Sequence, residues 1–262
     1  MNQLTKLLNQ YYTDLYKNQL GLKDYQKRVT SRLNEEKLSS QYNSLKYIKQ
    51  IENLINIQLK DGKKILIVGA GTGTELMRFL ERKCDAFAIE PNEKAFEILK
   101  IKTANKIKRE KILLAVAENL PFKSNFFDFV YCFTVLEHVQ NVKQSIQEMV
   151  RVVKRGAYAF IACPDYRYPW EGHYKMILPL FLPKIINQLI LILNKRDPSF
   201  FKGLQMVNAN QLKKIFDDLN IVSIKIRNFF PQNNKRRALS WIDFIWKKIF
   251  KSDSYQYWLL KK

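Results

Sequence analysis

Apolar residues recur at helical spacing through the first quarter of the chain, as Leu4, Leu7, Leu8, Tyr11, Tyr12 and Leu15 and again as Leu45, Ile48, Ile51, Leu54 and Ile55. This periodicity predicts two or three helices from Leu4 to about Ile57, with breaks at Gly21 and near Ser39-Ser40. After Asp61-Gly62 the pattern changes to short apolar runs separated by amphipathic segments. Buried strands are expected at Lys64–Val68, Ala86–Glu90, Ile112–Val116, Phe129–Phe133 and Ala157–Cys163, and helices at Glu75–Arg82, Glu93–Thr103 and Val142–Lys154. Strands alternating with helices of this length point to an α/β fold, a parallel sheet covered on both faces. The alternation breaks at Pro164, where a proline-rich and aromatic stretch runs to Gly203 and reads as an insertion over the ligand-binding face. A helix at Asn210–Leu219 and a strand at Ile221–Ile226 resume it, and a basic, tryptophan-bearing tail closes the chain. The division is then a helical cap over residues 1–60, a core over 61–163, an insertion over 164–203, the last helix and strand of the core over 204–228, and a tail over 229–262.

Composition adds a core and a charge. Of the 262 residues 47% are hydrophobic and 13% aromatic, so the chain has the apolar surface to offset its ordering entropy. The net charge is +21, and residues 166–262 hold 18 basic against 6 acidic side chains. Such an excess is either a solvated lysine-rich face or a surface for an anionic partner such as membrane lipid, a phosphorylated carrier or nucleic acid. Trp241, Phe244, Ile245, Trp246, Ile249 and Phe250 recur at helical spacing beside Lys247, Lys248 and Lys251, a pattern suited to peripheral contact with an anionic membrane or to packing on the cap. Cys84, Cys132 and Cys163 lie far apart in apolar runs, with only two histidines in the chain, so neither a disulfide framework nor a zinc or other metal site is expected. The first residues lack the apolar core of a secretory signal, and Met176–Leu193 is interrupted by Pro179, Pro183, Lys184 and Asn187. A cytoplasmic protein is expected, with peripheral attachment to a membrane surface as the variant.

Chemistry enters at the end of the first strand. Ile65-Leu66-Ile67-Val68-Gly69-Ala70-Gly71-Thr72-Gly73-Thr74 sets three glycines between a strand and a helix, where the backbone must turn sharply and a ligand can approach without a Cβ in the way. Glu90 stands 21 positions after Gly69 at the end of the second strand, placed to accept hydrogen bonds from two ribose hydroxyls. The spacing is GxGxG, not the GxGxxG that packs a helix under a pyrophosphate, which favours a nucleoside ligand without phosphate. Ala117-Glu118-Asn119-Leu120-Pro121-Phe122 follows the third strand, where an adenine edge can be read. Phe127-Asp128-Phe129-Val130-Tyr131 opens the fourth strand, and Phe133-Thr134-Val135-Leu136-Glu137-His138-Val139 ends it on the ligand-binding side of such sheets.

In these ordered segments, over Lys63 to Pro164, the chain resembles the class I S-adenosylmethionine-dependent methyltransferases, specifically the small-molecule branch similar to enzymes of ubiquinone and menaquinone biosynthesis. The resemblance implies a Rossmann-like methyltransferase fold with a mostly parallel seven-stranded sheet, here with a helical N-terminal cap and an insertion after strand 5. It also implies S-adenosylmethionine as cofactor, with Gly69, Gly71 and Gly73 around the methionine part, Glu90 on the ribose, Ala117 and Glu118 near the adenine, and Phe133 on the pocket floor. One departure is Val116, where many relatives carry Asp or Asn, which leaves backbone groups or Glu118 to hold the adenine. Leu20-Gly21-Leu22-Lys23-Asp24-Tyr25, Arg28-Val29 and Pro164-Asp165-Tyr166 to Glu171-Gly172-His173-Tyr174 resemble a subgroup of bacterial methyltransferases, which implies that the helices and the insertion form one substrate-side cap.

His173, flanked by Glu171 and Tyr174, is the candidate general base, needed when the acceptor is a hydroxyl or a protonated amine. His138 is expected to pack and cap the following helix, and Asp165 and Tyr166 are further candidates. Methyl transfer to oxygen of a small molecule or a lipid- or carrier-linked saccharide is the leading expectation. Nucleic-acid methylation ranks below it, because the segment after the fourth strand lacks the Asn/Asp-Pro-Pro-aromatic cluster that holds a flipped base. A methyltransferase-like scaffold without turnover is the non-enzymatic alternative.

Overall fold

In the computed structural model, which describes residues 3–38, 43–227, 229 and 254–262, the first quarter of the chain forms α1 (Gln3–Thr13), a π-helical turn (Asp14–Gln19), α2 (Tyr25–Leu38) and α3 (Asn43–Ile55). The break at Gly21 has a steric reason. Its φ is +60°, and a Cβ there would stand 3.1 Å from the Asp197 backbone nitrogen, so the turn presses on the insertion. The break expected near Ser39-Ser40 lies outside the described residues.

The alternation follows as β1 (Lys64–Val68), α4 (Thr74–Glu81), β2 (Asp85–Ile89), α5 (Glu93–Thr103), β3 (Ile112–Leu113), β4 (Phe127–Phe133), α6 (Val142–Val152) and β5 (Val153–Pro164). β3 is shorter than its apolar run suggests. It sits on the sheet edge with β2 as its only neighbour among the described residues, pairing ends at Ile89 with Leu113, and Leu114 and Val116 turn out to solvent. The insertion holds a hairpin of β6 (Trp170–Glu171) and β7 (Met176–Ile177), then α7 (Lys184–Leu193) and α8 (Ser199–Gly203). α9 (Ala209–Asp218) starts at a capping box of Asn208 and Gln211 and leads to β8 (Val222–Ile226).

The sheet has seven strands in the order β3-β2-β1-β4-β5-β9-β8, where β9 is Tyr255–Lys261. Its first five strands are parallel, and β9 runs antiparallel to both β5 and β8. The seven-stranded, mostly parallel sheet is therefore present, but its sixth position is filled from the segment expected to be a tail. Tyr257, Trp258, Leu259 and Leu260 are buried, and the basic residues around them mask a strand that is covered on both faces. The Trp241–Phe250 pattern lies outside the described residues.

Alternate side chains of the parallel strands feed two cores. Leu66, Val68 and Val130 meet Ile146 and Met149 of α6 and Leu212 and Phe216 of α9. Ile65 and Ile67 meet Ile51 of α3, Leu76 and Phe79 of α4 and Leu99 of α5. Two smaller clusters attach the cap: Leu8, Tyr12 and Val29 pack with Ile98 of α5, and Leu20 and Leu22 pack with Tyr166, Tyr174, Leu178 and Phe201. The N-terminal helices and the insertion thus share one apolar seam.

Candidate active site

β1 delivers the glycine turn, and its three glycines have different surroundings. All three are left-handed, with φ of +67°, +54° and +88° at Gly69, Gly71 and Gly73. A Cβ on Gly69 would stand 2.4 Å from Val135 Cγ2, and one on Gly73 would stand 2.5 Å from Leu99 Cδ1. Both are needed for packing. A Cβ on Gly71 would meet nothing within 4 Å, so the middle of the turn opens into free space, as a cradle for a ligand requires.

Glu90, at the end of β2, is buried and faces that turn. Its carboxylate accepts the Gly71 N–H at 2.7 Å and the Asn92 N–H at 2.9 Å. Burial pushes its pKa up, and these two bonds pull against it. Phe133 ends β4 in a stack with Tyr131 and Tyr255, at centroid distances of 6.2 and 6.3 Å. Ala117 is buried beyond β3, while Glu118 Oε1 accepts the N–H groups of Gln140 (2.6 Å) and Asn141 (3.1 Å), tying its loop to the start of α6. Asp128 is engaged by the Lys64 N–H and by Lys154. The carboxyl ends of β1, β2 and β4 therefore gather Gly69, Gly71, Gly73, Glu90 and Phe133, with Ala117 and Glu118 after β3.

The cap closes on the glycine turn through one carboxylate. Glu36 of α2 accepts the hydroxyls of Tyr12 (2.7 Å) and Thr72 (2.6 Å) and pairs with Lys102 of α5 at 2.5 Å. Burial alone would raise Glu36, but Lys102 and the hydroxyl donors outweigh it and hold the carboxyl below its ordinary value. Nothing in the charged run of α2 marks this residue, because its partners come from three distant segments.

A second cluster lies past β4 and in the β6–β7 turn. His173 Nδ1 is 2.7 Å from Glu171 Oε1, and Glu171 Oε2 accepts the Tyr174 N–H at 2.7 Å. The ring of His138 packs edge-on to that of His173 at 5.1 Å, and Phe200 covers both. His138 does not cap α6, a role taken by Asn141, whose side chain accepts the Gln144 N–H. Its pKa is lowered, by desolvation first and the neighbouring His173 second. Glu137 is 1% exposed, and neither carboxylate oxygen has a hydrogen-bond partner. Its burial drives the carboxyl up to about 7. Asp165 is paired with Arg167 at 2.7 Å, and the buried Tyr166 hydroxyl has no hydrogen-bond partner. Glu137 escaped the sequence reading, although an acid directly before a histidine at a strand end was the available signal.

A family model described as a methyltransferase domain matches residues 66–161. Over 253 residues the chain is 24% identical to an uncharacterized protein of Methanocaldococcus jannaschii, covering 89% of this chain and 93% of that one. It is 26% identical to a demethylmenaquinone methyltransferase of Staphylococcus aureus, covering 65% of this chain and 73% of the enzyme. Among solved structures, an S-adenosylmethionine-dependent methyltransferase of Mesorhizobium loti superposes with a TM-score of 0.56 at 10% identity, over 82% of this chain and 98% of that one. A putative S-adenosyl-L-methionine-dependent methyltransferase of Methanococcus maripaludis gives 0.52 at 14% identity, over 87% and 90%.

Proposed function

We propose that this chain acts as a class I S-adenosylmethionine-dependent methyltransferase whose acceptor is a hydroxyl on a lipid- or carrier-linked saccharide met at an anionic membrane surface. The open glycine turn fits the cofactor, with Gly71 beside its methionine part, Glu90 on its ribose and Phe133 below. When bound, the cofactor supplies a methyl group activated by its sulfonium. The protein's share is alignment of the acceptor, exclusion of water by the cap, and removal of the hydroxyl proton at the His138–His173 cluster.

The observation that carries the lipid-linked acceptor is α7. Ile185, Leu189, Ile192 and Leu193 share one face of this helix and are 53–81% exposed, inside the insertion that borders the ligand end of the sheet. Large apolar side chains facing water in a row mark a contact surface, and the exposed Lys195 and Lys202 beside them suit anionic headgroups. No helix among the described residues is long and apolar enough to cross a membrane, so α7 would lie in the interface.

The test is methyl transfer from labelled S-adenosylmethionine to a cell extract separated into lipid, aqueous small-molecule and nucleic-acid fractions. Label in the lipid fraction, stable to mild alkali as an ether is, supports the proposal. Label confined to nucleic acid or to water-soluble amines overturns it.

A further inference from the structure

We propose that Glu137, His138 and His173 form a binding site for one divalent transition-metal ion of the zinc class. Cysteine spacing and a count of only two histidines argued against a metal site in the sequence. The fold changes the premise, since it brings both histidines, 35 positions apart, to the same acid. One ligand atom from each of the three residues lies within 4.8 Å of the others. Tetrahedral zinc with bonds of ~2.0–2.2 Å needs its ligand atoms roughly 3.3–3.6 Å apart. The closure required is therefore small, and the histidines sit on a loop and at an exposed rim where side-chain rotation can supply it.

Two further observations point to a cation. Glu137 buries both carboxylate oxygens without a single donor, an arrangement that is costly unless a proton or a positive ion completes it. Glu171, itself 1% exposed, is held by the Tyr174 N–H and engages His173 Nδ1, which fixes the ring and leaves Nε2 as the coordinating nitrogen. A carboxylate behind a ligating histidine is the usual outer support of a metal site. Two imidazoles and one carboxylate favour zinc-like ions over magnesium or calcium, which prefer all-oxygen shells, and three protein ligands leave a position open. Val135, two residues before Glu137, packs against Gly69, so the cluster follows directly on the segment that lies against the glycine turn. A hydroxyl bound to such an ion would be acidified, so that the ion, with both imidazoles as its ligands, takes the part of a free histidine base and the proton passes to water. That role rests on the function proposed above, whereas the ion site does not.

The experiment uses tag-free protein stripped with chelator, titrated with Zn²⁺ by calorimetry and with Co²⁺ by visible absorption, each sample also being titrated with S-adenosylmethionine. The expected result is one ion per chain, Co²⁺ d–d bands, and no displacement of Zn²⁺ by millimolar Mg²⁺. Glu137→Gln and His173→Ala should each weaken Zn²⁺ at least tenfold, and Glu171→Gln by about 10–100-fold. If Glu137→Gln does not fold, His138→Ala at the exposed rim carries the same test. Absence of stoichiometric Zn²⁺ binding in protein that binds S-adenosylmethionine overturns the site and leaves Glu137 a protonated buried acid. Equal Zn²⁺ affinity in all variants overturns it as well. Zn²⁺ binding lost in the variants, in protein that fails to bind S-adenosylmethionine, would sustain the metal site and defeat the methyltransferase function.

Discussion

Gly69 and Gly71 share a left-handed backbone, yet alanine should do different things at the two positions. At Gly71 the new Cβ meets only open space, so the cost is the backbone term of ~1–2 kcal/mol. The protein should stay folded while the methyl group intrudes into the open turn proposed to hold the cofactor, and S-adenosylmethionine affinity should fall at least tenfold. At Gly69 the same backbone cost is joined by a 2.4 Å collision with Val135, and the substitution should lower stability by a further ~1–3 kcal/mol. Urea unfolding and calorimetry on the two variants separate the effects, and equal stability loss would contradict the division of labour. At Glu90 the expected outcome is simpler. Glu90→Ala removes the acceptor for the Gly71 N–H and, with it, the proposed contact to the ribose, so cofactor binding should become undetectable at micromolar concentrations in a protein that remains folded.

Docking of α1 and α2 on the core depends on the Glu36 junction. Glu36→Ala would leave the Tyr12 and Thr72 hydroxyls and Lys102 without their shared acceptor, at a cost of about 1–3 kcal/mol. Amide hydrogen exchange in α1 and α2 should accelerate by one to two orders of magnitude while β1 and β4 keep their protection. The pH dependence has a definite sign. A carboxyl whose folded pKa is depressed contributes stability that is present above its unfolded value, here 4.5, and is lost as pH falls through the folded one. Protection of the cap should hold at neutral pH and decline only below about 4.5, and the Glu36→Ala variant should lose that dependence. This junction also shows which elements can be read from sequence. β1 and α5 were legible to the residue because their apolar periodicity and the Asn92 cap are local. The glycine turn and the Glu171–His173 pair were legible because their residues sit within a few positions of each other, and Glu90 because it stands at the end of the next strand. Glu36 with Thr72 and Lys102, and Glu137 with His173, join only through tertiary packing, so no periodicity announces them.

Seen as a whole, the sheet is completed by residues 255–261. A basic tail could be trimmed without consequence, but β9 lies between β5 and β8, and without it β8 has no partner in the sheet among the described residues. Trp258 packs edge-on against Phe216 at 5.1 Å, and its indole N–H is satisfied by Gln256. Gln256 in turn donates to the Pro164 carbonyl, and Lys262 Nζ reaches the carbonyls of Arg151 and Val153. Tyr257, Trp258, Leu259 and Leu260 are all buried. At roughly 1.5–3 kcal/mol per buried large side chain, their loss is of the same order as the ~5–15 kcal/mol by which a domain is stable. Deletion of residues 255–262 should therefore abolish cooperative unfolding and S-adenosylmethionine binding together, although the glycine turn and Glu90 are untouched. Trp258→Ala should remove about 3–5 kcal/mol by leaving a cavity against α9 and lower the thermal midpoint without changing cofactor affinity in the protein that remains folded. Circular dichroism and calorimetry on the two variants decide the matter. A truncated chain that melts cooperatively and binds the cofactor would return residues 255–262 to the status of a tail and reduce the sheet to the strands that precede them.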